Sequence, residues 1–105
     1  MKEFDIKRGH FKNVEGENLK KLIETTFGNV EKENEKFIVN YGALQPLTTW
    51  VKGKDTLCID TIMDNTVSED EIDKTIRCYN KFLEAATGFN SKERVKRAKK
   101  KTEKN

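Results

Sequence analysis

The chain has 105 residues, 37% of them charged and 34% apolar, with a formal charge of +3. That length suits a single domain, and such a composition implies a thin core under a heavily charged surface. It excludes a membrane-spanning helix, since no run approaches the roughly 20 apolar residues needed. The start, Met1-Lys2-Glu3-Phe4-Asp5, also lacks the apolar stretch of a secretory signal, so a cytoplasmic location is expected.

Lys2 to Lys7 alternates charged residues with Phe4 and Ile6, the period of a half-buried strand, and Gly9 ends it. Glu17 to Phe27 places Leu19, Leu22, Ile23 and Phe27 at helical spacing, with Gly28 where a C-cap belongs. From Asn29 to Asp64 short β-branched and aromatic runs take over. Asn34-Glu35 joins strands 29–33 and 36–41 in a tight hairpin, and Gly42 breaks the run. Gly53-Lys54-Asp55 joins strands 47–52 and 56–63, with Pro46 at a strand start, where its missing N–H does least harm. Ser68 and Glu71 form a capping box ahead of a helix whose apolar stripe reads Ile72, Ile76, Tyr79, Leu83 and Ala86, closed by Gly88. Beyond it Ser91 is placed to cap a short helix, but Val95 and Ala98 are its only apolar residues, so it is expected to fray.

The resulting expectation is an α+β fold in the order β-α-β-β-β-β-α. It is a two-layer sandwich in which an antiparallel five-stranded sheet carries both helices on one face. Residues 1–90 form the domain and 91–105 a basic tail. The other face of the sheet is left bare. If Phe37, Val39 and Tyr41 point to the helices, Ile38 points outward, and the next strand exposes either Thr48 and Trp50 or Leu47, Thr49 and Val51. In the first case Trp50, the only tryptophan, joins Ile38 near Ile62 in an exposed apolar patch of the kind that marks an interface. In the second it is ordinary core.

The charge is unevenly distributed. From Lys92 onward there are eight basic and two acidic residues, a net of +6, which leaves −3 on residues 1–91. A mildly acidic body with a cationic end localises any attraction for a polyanion. Lys92, Arg94, Lys96, Arg97, Lys99, Lys100 and Lys101 are therefore the candidate nucleic-acid contacts, against the plainer reading of a solubilising tail without aromatics to stack on bases. Lys7, Arg8 and His10 around Gly9 are candidates for an anion contact. Cys58 and Cys78, with His10 the only histidine, do not make up a zinc ligand set and read as reduced thiols. The carboxylates of Glu69, Asp70, Glu71 and Asp73 are explained by the dipole of the helix they open. With no glycine-rich phosphate loop and no nucleophile elbow in the sequence, neither an enzyme nor a cofactor is expected.

Lys7-Arg8-Gly9-His10, Tyr41-Gly42-Ala43-Leu44 and, above all, the run from Tyr79 through Gly88-Phe89 into Ser91-Lys92-Glu93-Arg94 resemble a family of small uncharacterised archaeal proteins. The resemblance implies a two-layer sandwich similar to one half of the TATA-box-binding-protein fold and supplies no function. Groove binding as in that protein would need a dimer. The expected role is a non-enzymatic binding or adaptor domain, with nucleic acid as partner through the tail. The alternative is a protein partner or homodimer on the open sheet face, through Ile38 and Trp50.

Overall fold

A change in residue period, from two to that of a helix and back, lays down the layers of the molecule. The computed structural model describes residues 2–53 and 55–103, with the backbone alone for 98–103. Its strands are β1 (Lys2–Asp5), β2 (Glu31–Glu33), β3 (Lys36–Tyr41), β4 (Leu44–Lys52) and β5 (Thr56–Met63), and its helices α1 (Glu17–Phe27), α2 (Glu69–Thr87) and α3 (Ser91–Glu103). The sheet runs β1-β5-β4-β3-β2, and every neighbouring pair is antiparallel. The order is thus β-α-β-β-β-β-α-α, the short helix read over the basic end being the 13-residue α3.

One face of the sheet meets α1 and α2. Leu19, Ile23 and Phe27 of α1 and Phe82, Leu83 and Ala86 of α2 share a buried cluster with Phe37, Val39, Leu47, Leu57 and Ile59. Phe27 sits at its middle, its ring centroid 5.3 Å from that of Tyr41 and 5.6 Å from that of Phe82. Burying such aromatics removes the largest apolar areas a chain this size can hide.

Five local expectations are revised, the first being that β2 starts at Glu31 rather than Asn29. β1 ends at Asp5 rather than Lys7, because the next two amides leave the ladder: Ile6 N–H donates to Asp55 O and Lys7 N–H to Thr87 O. β4 starts at Leu44, so Pro46 lies within the strand, at the register shift between Leu44 and Leu47 where a ladder donor is dispensable. The buried side of α2 is centred on Thr75, Phe82 and Ala86, and Ile76 is 44% exposed. Finally, α3 is capped by Asn90 rather than Ser91: Glu93 N–H donates to Asn90 Oδ1 at 3.0 Å and Asn90 N–H to Glu93 Oε1 at 3.2 Å. The Ser68 cap of α2 forms as read, its Oγ accepting from Glu71 N–H at 3.2 Å.

The rotation of α2 has a cause in the β3–β4 turn. Gly42 has φ +50°, and a Cβ there would run into Thr75 Oγ1 and lie 2.8 Å from Glu71 Oε1. Thr75 Oγ1 accepts from Ala43 N–H at 3.0 Å and donates to Glu71 O at 2.7 Å. A buried threonine is therefore turned toward the sheet to satisfy a turn amide, which carries Ile76 to the margin of the stripe.

Candidate functional site

The sheet register decides which β4 residues face outward. Directly paired residues share a face, and the inner row is fixed by Val39 opposite Leu47, Phe37 opposite Thr49, Thr49 opposite Ile59 and Val51 opposite Leu57. Thr48 and Trp50 consequently point away from the helices, with Ile38 opposite Thr48, Asp60 opposite Thr48 and Cys58 opposite Trp50. Ile62 falls in the same outward row of β5 and is 63% exposed. Trp50 and Ile38 are half-buried. Both candidate interface residues thus stand on the uncovered face, with Trp50 on the middle strand of five.

Acidic residues flank this apolar centre. The outward positions of β1 are Glu3 and Asp5, those of β2 are Glu31 and Glu33, and β5 adds Asp60; the outward cations are Lys36 and Lys52. Lys52 Nζ lies 3.6 Å from Glu3 Oε2 in an exposed pair, of the kind that contributes little stability. Lys36 Nζ lies 4.5 Å from the centroid of the Trp50 ring. The indole face is thus already placed to hold an ammonium group. Cys58 is buried although it faces outward. Burial pushes its thiol up, with Glu3 adding to the shift and Lys52 opposing it, so the thiolate is disfavoured.

The basic segment divides into two sides. Arg94 is 8% exposed: Nη1 donates to Phe89 O at 2.6 Å, and Nη2 to Asn80 Oδ1 at 2.9 Å and Ser91 Oγ at 3.2 Å. Desolvation lowers its pKa, opposed by Tyr79 and Glu84, yet a guanidinium stays charged in proteins. Arg97 Nε donates to Asp5 Oδ2 at 2.9 Å, and its guanidinium carbon lies 4.5 Å from the Phe89 ring centroid. Lys92, Val95 and Lys96 project from the other side of α3 and are exposed. The side chains of Lys99, Lys100 and Lys101 lie outside the described residues.

Lys7, Arg8 and His10 do not converge. Lys7 and Arg8 are exposed, while the His10 ring packs on Gly88, where an added Cβ would sit 2.9 Å from its carbons. Its Nδ1 is buried with no hydrogen-bond partner among the described residues. The open depression beside it is lined by His10 together with Lys12, Asn13, Asn18, Leu22 and Glu84, and not by Lys7 or Arg8.

Sequence reasoning missed the acidic flanks and the structural use of Arg94. The first signal was present in the charged residues at alternate positions of β1 and β2, which strand parity places with Trp50 once the register is known. The second had none, because one cation among eight in a basic run looks like its neighbours.

No helix among the described residues is long and apolar enough to cross a membrane. No curated protein matches the chain, and no solved structure does. Over residues 1–100 the chain matches the family described as a domain of unknown function, DUF5611, and it belongs to that family.

Proposed function

We propose that the protein is a non-enzymatic binding domain that docks a protein partner on the open face of its sheet. The observation that carries this reading is that Ile38, Trp50 and the 63% exposed Ile62 all point outward from three adjacent central strands. Large apolar side chains grouped on an uncovered face cost solubility and serve as anchors at protein interfaces. The test is a photocrosslinking amino acid in place of Ile62, with a control at exposed Lys21 on α1. Discrete protein adducts at position 62, absent at 21 and lost on Trp50→Ala, are expected; no adducts, or only nuclease-sensitive ones, overturn the reading.

The second reading is nucleic-acid binding through α3, favoured by Lys92 and Lys96, which project together from the side of the helix away from the body. Each phosphate neutralised would steepen the fall of log K with log salt by about 0.9. Arg94 and Arg97 are engaged by the body, which shortens the cationic row. A route through the sheet, as the resemblance to one half of the TATA-box-binding-protein fold read from the sequence would suggest, meets Glu3, Asp5, Glu31, Glu33 and Asp60 on that face, and these repel phosphate. Lys92→Glu with Lys96→Glu should flatten the salt dependence of DNA or RNA binding if α3 is the contact.

A further inference from the structure

We infer that the partner of the open sheet face is the outer side of α3 from a second copy of this chain, two such contacts closing a dimer. The inference rests on the docking reading above and adds the identity of the occupant. The two surfaces are complementary in pattern. The sheet face has Ile38 and Trp50 on its central strands and Ile62 two residues beyond Asp60 on β5, with Glu3 and Asp5 on one edge strand and Glu31 and Glu33 on the other. The outer side of α3 has Val95, 55% exposed, between Lys92 and Lys96. Opposite potentials around an apolar centre favour and orient association.

Dimensions agree as well. Lys92 and Lys96 are four residues apart, about 6 Å along the helix, and Glu31 and Glu33 are two residues apart on β2, about 7 Å along the strand. The two cations can therefore meet the two acids while Val95 turns toward Ile38, which is paired with Glu31. Within one chain α3 already pairs a cation with an outward acid, Arg97 with Asp5 at 2.9 Å. That contact is at the β1 edge, and the same helix cannot also reach Glu31 and Glu33 on the opposite edge strand. A helix from a second copy can. Face-to-face pairing of two sheets would instead bring like charges together, and a reciprocal helix-on-face arrangement avoids this.

The experiment is sedimentation equilibrium of the nuclease-treated full chain at low and high salt. Four proteins are compared: wild type, Glu31→Lys with Glu33→Lys, Lys92→Glu with Lys96→Glu, and all four changes together, each checked for unchanged thermal melting. Wild type should dimerise reversibly, with weaker association at high salt. Each double variant should associate at least about tenfold more weakly. An equimolar mixture of the two double variants should associate more strongly than either alone, because the intact helix of one meets the intact face of the other. The fourfold variant should recover dimerisation. A Lys92→Glu, Lys96→Glu variant that dimerises like wild type shows that α3 is not the occupant and overturns the inference, as does a dimer lost on nuclease treatment. A chain that stays monomeric overturns it too: if position 62 still crosslinks to other proteins, docking on the face stands with a different occupant, and if it does not, both proposals fall.

Discussion

β4 presents two different surfaces from one stretch of backbone. Its inward residues Leu47 and Thr49 are fully buried, and Thr49 Oγ1 donates to Cys58 O at 2.9 Å, so even the polar member of that row is satisfied within the protein. Its outward residues Thr48 and Trp50 are half-buried and have charged residues along the flanking strands. The contrast teaches that the two faces differ in what depends on them: the inner face holds the buried core, and the outer face leaves a residue such as Ile62 largely exposed. Substitutions should therefore differ in effect by face.

The largest effect is expected inside. Phe82 is fully buried and its ring packs at a tilt against Phe27, so Phe82→Ala removes about 3–5 kcal/mol, enough to consume much of a small domain's stability. Chemical denaturation should show the loss as a lower midpoint at similar slope. Gly42→Ala follows. It forces a side chain into a positive φ and into Thr75, breaking the turn amide's hydrogen bond, and should cost about 3 kcal/mol. If Gly42→Ala is tolerated, the turn does not set the rotation of α2.

Arg94 extends the comparison from the sheet to the tail. Arg94→Ala leaves Phe89 O and Asn80 without their guanidinium partner and should cost about 2 kcal/mol. Arg94→Lys should recover little, since a point charge cannot span both acceptors. Hydrogen exchange would report the loss as faster exchange in α3 and around Phe89, with the inner strands protected as before.

How much of this was legible in the sequence depended on whether the signal was local. α1, from Glu17 to Phe27, and β5, from Thr56 to Met63, have the boundaries their periodicity marks, and Gly28 and Gly88 adopt the left-handed caps expected of them. The orientation of α2 was not legible, because it follows from a hydrogen bond between Thr75 and Ala43, 32 positions apart. The choice between the two outward sets on β4 was undecidable for the same reason: parity alternates along a strand, but only pairing with Phe37 and Ile59 assigns it to a face. The outward side of the sheet was half legible, in that Ile38 and Trp50 were named while their acidic neighbours awaited the register.

Alkaline pH gives a smaller effect that draws on both faces. Tyr79 is raised chiefly by burial, Tyr41 chiefly by its hydrogen bond with Cys78 Sγ at 3.2 Å, and Cys58 by burial. For each the folded pKa lies above the unfolded one, so its contribution to stability is fully present below the unfolded value and is lost as pH rises through the folded one. The melting temperature should decline beginning near pH 8.5, where an unfolded thiol ionises, and more steeply past about 10, where unfolded phenols do. Cys58→Ala should remove the earlier part of the decline and leave the later part.

The smallest effect on stability is expected at Ile62, and it separates the two faces most cleanly. Ile62→Thr keeps a β-branched residue in the strand, so its local preference is retained, and a residue 63% exposed has little burial to lose. Stability should change by less than about 0.5 kcal/mol. Association should weaken by about threefold or more, because the lost apolar surface is covered only when a partner is present. An Ile62→Thr protein that melts several degrees lower would show that the outer face supports the fold. One that melts and associates like wild type would place the binding surface elsewhere, since no other outward apolar side chain on the sheet is as exposed among the described residues.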